Sequence, residues 1–362
     1  MNNFVVMSDN HMHLWSAFSH ENAQGLNNRL GHILDELDQC AATCVSNDAD
    51  TVYGAGDLFH VRGVIPPSVI NPLKERLEAI HRSTGVKFVL MPGNHDLEKN
   101  DSLKIGSATA SLSSVPGVTV LDKPRYFQEH AVAMLPWRDK MDDLRNDISD
   151  MAAKLGDQGW LADATLIIHA PLNGVIVGIP EKGFSAEELA NYGFRRVIAG
   201  HYHNHKRFEG NIYSAGATTH QTWSDVDTLA GHMLVLQEQD AAIHIESEAP
   251  KFVKYDADWD DKVAMKQCGG NYVKVILGES SEKEIREVKE FIIGTLKAAA
   301  CVIEATPDRK VAERGETAVV TSGQSIEDSV TAFVNSEEFT SDKADILAKA
   351  ASIMRAVKAE AV

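Results

Sequence analysis

Residues 89–96 read VLMPGNHD, an apolar run that ends abruptly in proline, glycine and three polar side chains. Four other stretches have the same plan, namely VVMSDNH at 5–11, YGAGDLFH at 53–60, LIIH at 166–169 and VIAGHYH at 197–203. Each apolar run is typical of a buried strand, and the polar residues after it are of types that bind metal ions. In open α/β sheets ligands bind beyond the carboxyl ends of the strands, so we expect these five ends to converge on one site.

The chain around these stretches alternates short apolar runs with helical patterns, which indicates α/β layering. The strand candidates before residue 250 are Phe4–Ser8, Thr51–Ala55, Lys87–Met91, Ala131–Leu135, Thr165–Ile168, Arg196–Ala199, Met233–Leu236 and Ala242–Ile245. The helix candidates are Leu26–Cys44, Pro66–Thr84 and an acidic insertion at Asp139–Asp163. We expect the charges of the acidic insertion to form a solvated face.

The pattern changes around Pro250. A strand (Asn271–Leu277), a helix opened by the capping box Ser281-x-x-Glu284 and a returning strand (Cys301–Ala305) predict a small β-α-β unit. Two short amphipathic helices are predicted after it, at Ser325–Val334 and Asp342–Lys358. We therefore expect three regions: a main α/β domain at 1–249, a capping domain at 250–310, and a linker with C-terminal helices at 311–362.

Composition restricts the function classes. The net charge is −17, whereas an ordinary nucleic-acid binder has a basic surface. A nucleic-acid substrate would therefore have to be attracted by metals, a local groove or a partner. No apolar stretch approaches the ~18 residues of a membrane span, so no membrane association is expected. The N-terminal apolar run is too short and uncharged for a signal peptide, which predicts a cytoplasmic location.

Seven candidate metal ligands stand at the strand ends, and all of them are nitrogen or oxygen donors. They are Asp9, His11, Asp57, Asn94, His169, His201 and His203. Imidazole and carboxylate suit Mn, Fe, Zn or Ni, whereas copper or structural zinc sites favour sulfur. Residues two apart on an extended segment point the same way, so Asp-x-His and His-x-His can each place two ligands on one side of a metal site. One histidine at a strand end is usually a hydrogen-bonded residue without such a role, but five stretches of this kind in order are not explained that way.

The order D-x-H, GD, GNHD, H and GHxH resembles the calcineurin-like metallophosphoesterase superfamily over about residues 1–245. The resemblance implies a two-sheet α/β sandwich flanked by helices, here with a small α/β cap and C-terminal helices, and two-metal hydrolysis of a phosphate ester. It implies Mn²⁺ as the cation, with Mg²⁺, Fe²⁺, Zn²⁺ and Ni²⁺ left open. One cation would take Asp9, His11, Asp57 and His203. The other would take Asp57, Asn94, His169 and His201.

The resemblance also assigns catalytic roles. His95 is the expected general acid for the leaving oxygen, and Asp96 is expected to hold its ring. We expect His60 to support a ligand or to contact phosphate; the alternative is a histidine that merely packs beside Phe59.

The continuation GDLFH at 56–60 resembles the SbcD-type nuclease subunit, the partner of the SbcC ATPase, and differs from the GDYVDRG of phosphoprotein phosphatases. It implies a DNA exonuclease or endonuclease of repair, recombination or DNA degradation, which docks an SbcC-type ATPase through its C-terminal helices. Two stretches depart from SbcD chains: YSAGA at 213–217, and THQTWSD at 219–225, which resembles compact phage-type relatives. Three alternatives stay open: a phosphodiesterase or phosphatase acting on small nucleotides or another phosphoester, a non-catalytic partner-binding scaffold, and assembly as a homodimer.

Overall fold

The computed structural model describes residues 2–99, 106–179, 182–307, 330–331, 333–335 and 342–360. Its first sheet has the strand order β12-β11-β1-β2-β3-β4 and its second the order β5-β6-β7-β8-β10-β9. The strands of the first sheet are β1 (Asn3–Met7), β2 (Ala49–Gly54), β3 (Lys87–Leu90), β4 (Val118–Val120), β11 (Gly231–Leu236) and β12 (Ala241–Glu246). Those of the second are β5 (Arg125–Phe127), β6 (Val132–Leu135), β7 (Thr165–His169), β8 (Arg196–Gly200), β9 (Lys206–Phe208) and β10 (Ile212–Ser214).

The strands that precede the candidate ligands run parallel within each sheet. In the first sheet β1, β2 and β3 are parallel neighbours, and in the second β7 and β8 are. Parallel strands present their carboxyl ends at one edge, so the polar residues after them share that edge. The antiparallel partners β11, β5 and β9 lie outside these parallel groups.

Helices cover the outer face of each sheet. Helices α1 (Asn28–Ser46) and α2 (Pro67–Thr84) pack on the first sheet, and α3 (Met141–Asp157) and α4 (Ala186–Ala190) on the second. A third apolar layer joins the two sheets, with Phe4 and Val6 from β1 and residues such as Ile167 from β7. The central strands, such as β1, β7 and β8, thus bury both of their faces, which matches the continuous apolar runs in the sequence. The predicted two-sheet α/β sandwich flanked by helices is confirmed.

The acidic segment that contains α3 is more than a solvated face. Its charged residues Asp142, Asp143 and Asp150 are exposed, as expected, but the opposite side buries Leu144, Ile148, Met151 and Leu155. These apolar residues recur at helical spacing and pack against the second sheet. The expectation was wrong in omitting this packed face.

The region after residue 250 contains more elements than the predicted β-α-β unit. It consists of β13 (Phe252–Lys254), α5 (Asp261–Cys268), β14 (Tyr272–Ser280), α6 (Glu282–Glu290) and β15 (Ala300–Pro307), with sheet order β13-β14-β15. A π-helical turn, Phe291–Thr295, follows α6. It carries Ile292, which is buried with Cys268 and Val273 in a small core. The short strand β13 and helix α5 carry no strong pattern of their own, which is why the sequence did not predict them.

The chain divides into two compact units. One is Met1–Leu277 with Lys283–Glu304, and the other is Gly278–Glu282 with Ala305–Val362. The second unit contains helix α7 (Lys343–Glu360), close to the predicted Asp342–Lys358, whereas the predicted helix Ser325–Val334 lies largely outside the described residues. The predicted domain boundaries at residues 249 and 310 stay predictions. Within the described residues, no helix combines the length and hydropathy that a bilayer crossing requires.

One buried acid on α1 gives the fold a pH dependence. Glu36 is 2% exposed, and its Oε1 accepts a hydrogen bond of 2.5 Å from the Ser247 hydroxyl. Its Oε2 is buried without a partner among the described residues. Burial raises the pKa of Glu36 from 4.5 to about 7, and the charges of Glu248 and Asp35 add to the rise. The protonated carboxyl is therefore the form that the fold favours.

We predict that the variant Glu36→Gln removes this pH dependence. Between pH 4.5 and about 7 the folded chain holds a proton that the unfolded chain has lost, so stability falls as pH rises through that window. The pKa difference corresponds to about 3 kcal/mol. Denaturant unfolding of metal-free protein at pH 5 and pH 8 should show the wild type losing about that much more than Glu36→Gln.

The control is Glu75→Gln, which changes an exposed glutamate on α2 and should keep the wild-type dependence. Equal pH dependence in the wild type and Glu36→Gln would contradict the buried-acid assignment.

Candidate metal centre

The seven predicted ligands meet in one cleft at the shared strand edge. Asp9 and His11 follow β1, Asp57 follows β2, Asn94 follows β3, His169 ends β7, and His201 and His203 follow β8. Four of them are buried, namely Asp9, His11, Asp57 and His169. The other three are half-buried. The cleft therefore holds its charged groups away from water on one side and stays open on the other.

Their donor atoms form two groups. Asp9, His11 and His203 have donor atoms within 4.8 Å of one another, and so do Asp57, His169 and His201. In the first group, Nε2 of His11 lies 3.3 Å from Nε2 of His203.

In the second group, Oδ1 of Asn94 lies 3.1 Å from Nε2 of His169 and 3.0 Å from Nδ1 of His201. Asp57 lies between the two groups, because its Oδ2 is 3.8 Å from Nε2 of His11 and 3.4 Å from Nε2 of His169.

The residues fit two divalent cations. Oδ1 of Asp9 is buried without a hydrogen-bond partner among the described residues, an arrangement that is costly unless another group satisfies it. The ring nitrogens of His169 and His203 that face away from the cleft donate to Ala55 O and Asp225 Oδ1, so Nε2 of each ring faces the cleft. Carboxylate oxygen, amide oxygen and imidazole nitrogen together form a donor set for Mn²⁺, Fe²⁺, Zn²⁺ or Ni²⁺.

The backbone at the ligands is strained. Asp9, His11, Asp57 and His201 have φ angles of 50°, 48°, 53° and 117°. Positive φ is uncommon for residues with a side chain, and such strain clusters at functional sites. Gly93 meets a related constraint, because a Cβ there would overlap the Asp57 carboxylate. The glycine that precedes Asn94 is therefore needed for close approach of the two loops.

The electrostatics of the cleft keep two of its histidines, His11 and His201, in the neutral form that binds metals. Burial lowers the pKa of His11 well below its ordinary value and lowers that of His201 to about 3, so both rings are neutral. Burial opposes the charge on His169 as well, but Asp57 beside it outweighs burial and raises the pKa of His169 to about 9. A cation that binds at His169 would displace this proton.

The predicted general acid lies beside the two groups. The backbone N–H of His95 donates to Oδ1 of Asp57 at 2.9 Å, and Nδ1 of its ring lies 2.7 Å from the carbonyl oxygen of His60. The His60 ring stacks on the His95 ring, with centroids 5.6 Å apart and planes at 15°. Nδ1 of His60 is 3.3 Å from Nδ1 of His11, so His60 contacts a predicted ligand. Its functional role stays a prediction.

The expectation that Asp96 holds the His95 ring was wrong. Oδ1 of Asp96 accepts the N–H of Phe59, and Oδ2 accepts those of Leu58 and Gly93. Asp96 thus ties the loop after β2 to the loop after β3. The carbonyl oxygen of His60 accepts the hydrogen bond from the His95 ring that the family resemblance assigned to Asp96.

Two further residues support the ligands and were not found from the sequence. Asp225 accepts the hydrogen bond from Nδ1 of His203 at 3.0 Å, and its other oxygen accepts the N–H of Gln221 and of Thr222. Trp137 stacks on His201, with centroids 5.6 Å apart and planes at 18°. The one signal in the sequence was the unfamiliar stretch at 219–225, which contains Asp225. Neither residue belongs to the pattern in which an apolar run is followed directly by metal-ligand residue types.

We predict that Asp225→Asn weakens one of two cation sites. The carboxylate orients His203 and raises its basicity as a ligand, and loss of such support costs about tenfold to hundredfold in metal affinity. Isothermal titration with Mn²⁺ should show one weakened and one unchanged affinity. Asp227→Asn alters an exposed aspartate two residues later and serves as the control. Two wild-type affinities in Asp225→Asn would contradict this role.

Comparison with known proteins supports the family and leaves the substrate open. The family described as calcineurin-like phosphoesterase matches residues 3–205, more than half of the chain. No curated protein matches the chain. A dimetal phosphatase from Danio rerio is similar at 10% identity and a TM-score of 0.38, over 64% of this chain and 91% of that one. Nuclease MPE from Pseudomonas putida is similar at 17% identity and a TM-score of 0.26, over 57% of this chain and 65% of that one. Both likenesses are too weak to bear on the substrate, but the family match spans all five motifs, and the chain belongs to the calcineurin-like phosphoesterase family.

Proposed function

We propose that this phosphoesterase hydrolyses phosphodiesters with two divalent cations, with Mn²⁺ as the best activator and DNA as the substrate. The observation that carries the two-metal reading is the pair of donor groups with the Asp57 carboxylate between them. Asp9, His11, Asp57 and His203 would hold one cation, and Asp57, Asn94, His169 and His201 the other. When bound, such a pair lowers the pKa of a water to about 7 and neutralises the charge of phosphoryl oxygens.

We propose that His95 moves a proton at a defined atom. A carbonyl oxygen only accepts, so the contact with His60 O requires that Nδ1 of His95 carries a hydrogen. Nε2 is then the atom that donates a proton to the departing oxygen, after which the ring is neutral with Nδ1 still protonated. The hydrogen bond from the His95 backbone to Asp57 keeps this ring at the cleft.

The choice of DNA rests on the sequence. The GDLFH continuation and the small domain after residue 250 resemble SbcD-type nucleases, and we extend the proposal to an SbcC-type ATPase as a partner of the C-terminal helices. A specific observation favours a second candidate, a phosphodiesterase or phosphatase of small nucleotides. The net charge of −17 repels a duplex, and a small substrate would meet less of that repulsion. An ATPase partner that carries the DNA would reconcile the charge with the first candidate.

We predict that His95→Ala separates substrates by leaving group. General acid assistance contributes about 10²–10⁴ in rate when the leaving oxygen is an alkoxide, and far less for nitrophenolate. Labelled single-stranded and duplex DNA, a mononucleotide panel and bis-p-nitrophenyl phosphate should be assayed in Mn²⁺ with the wild type and this variant. The wild type should cleave DNA, and His95→Ala should lose that cleavage but largely keep hydrolysis of the nitrophenyl diester.

His20→Ala, which changes an exposed histidine, should behave as the wild type on every substrate. Wild-type hydrolysis of mononucleotides alone would favour the second candidate over DNA. An equal rate loss in His95→Ala on the DNA and nitrophenyl substrates would show that His95 is not the general acid.

A further inference from the structure

Arg29, near the start of α1, is a buried cation surrounded by aromatic rings. Its side chain is 3% exposed, and its guanidinium carbon lies 5.0 Å from the ring centroid of Phe252 and 5.3 Å from that of Tyr272. These two rings belong to β13 and β14, in the region after residue 250. Phe18 stacks on Tyr272, with centroids 4.9 Å apart and planes at 15°. Cation–π contacts of this kind are attractive, and more so where water is excluded, so Arg29 joins α1 to these two strands.

The same guanidinium binds backbone carbonyls from two other segments. Nη1 donates to Ala17 O at 2.9 Å, and Nη2 donates to His220 O at 3.2 Å and to Gln221 O at 2.9 Å. His220 and Gln221 are the first residues of the stretch at 220–225, which contacts the metal cleft through Asp225. Removing the guanidinium would leave the carbonyls of His220 and Gln221, both buried residues, without this donor, which is costly.

Among the described residues, the hydrogen bonds from the stretch at 220–225 to the ligands reach the first donor group. Nε2 of Gln221 donates to the carbonyl oxygen of Asp9 at 2.9 Å, and its backbone N–H donates to Asp225 at 2.8 Å. Asp225 in turn holds the His203 ring. The second donor group is held from other elements, because Nδ1 of His169 bonds to Ala55 O.

A second, shorter route leads from Arg29 to the same donor group. The guanidinium carbon lies 5.9 Å from the ring centroid of Trp15, and Nε1 of Trp15 donates to the carbonyl oxygen of His11 at 3.3 Å. The first route ends on Asp9 and His203, and the second ends on His11.

We propose that Arg29 is a positioning residue that makes the affinity of the Asp9, His11 and His203 site depend on docking of the β13–β14 region. With the guanidinium in place, the rings of Phe252 and Tyr272 position Arg29. Its hydrogen bonds then hold the carbonyls at 220–221, and the stretch that follows them fixes Asp225 against His203. Without it, the stretch shifts to satisfy its carbonyls and releases the ring. The inference rests on the proposed two-metal function, and it concerns one of the two sites only.

The test is the binding of Mn²⁺ to the full chain without substrate, measured by isothermal titration beside the melting temperature. Arg29→Met should weaken one of two affinities by about tenfold to hundredfold, as expected when the support of a ligand is lost, and leave the other unchanged. Arg76→Met is the matched control, because Arg76 pairs with Asp35 and Asp38 of α1 away from the cleft. It should keep both affinities.

A double-mutant cycle tests the coupling itself. Tyr272→Leu removes a ring beside Arg29 but keeps apolar volume, and it should weaken the same affinity in the wild-type background. In the Arg29→Met background it should have no further effect, because the link it acts through is already absent. Equal effects in both backgrounds would contradict the coupling.

Two wild-type affinities in folded Arg29→Met would overturn the inference and leave the two-metal function standing. If Arg29→Met does not fold, Arg29→Lys carries the test, since an ammonium cannot donate in the fork geometry of a guanidinium; unchanged affinities there would overturn the inference equally. A wild-type chain that binds fewer than two cations would overturn the two-metal function, and this inference with it.

Discussion

The carboxylate of Asp57 is buried between two groups of imidazoles, and the geometry of the cleft depends on it. One oxygen accepts the backbone N–H of His95, and the other faces His11 and His169. Burial alone would raise its pKa, but His169 and His11 outweigh burial and hold the pKa of Asp57 below its ordinary value. An ionised, buried carboxylate is costly without positive charge beside it, and among the described residues the protonated ring of His169 supplies that charge.

The surrounding backbone is arranged to keep this carboxylate in place. Asp57 has a positive φ, and Gly93 allows the loop after β3 to approach it. Asp96 joins the two loops by accepting three backbone hydrogen bonds, and this is a sufficient reason for an aspartate after the histidine of GNHD. Strain of this kind persists because β2 and β3, neighbouring parallel strands of the first sheet, fix where both loops begin, and it places the donor atoms before any cation binds.

The sequence predicted the strands and the seven ligand candidates because both depend on local patterns, and the two-sheet sandwich was implied by the family resemblance that these motifs carry. A buried parallel strand is a short apolar run, and the ligand types follow it directly in the chain. Asp225 and Arg29 could not be found in this way. Asp225 meets a histidine 22 residues away, and Arg29 meets a carbonyl 192 residues away, so neither contact leaves a periodic signal. The role of Asp96 was misjudged for a related reason, since a motif names residue types and does not show which atoms accept hydrogen bonds.

The central claim is that Asp57 is shared by two cations. The most direct measurement is anomalous diffraction from crystals grown in Mn²⁺, of the wild type and of Asp57→Asn. The account predicts two peaks about 3.5–4 Å apart in the wild type, with Asp57 between them, and neither peak in Asp57→Asn. A single wild-type peak, two peaks more than about 5 Å apart, or two peaks retained in Asp57→Asn would contradict it.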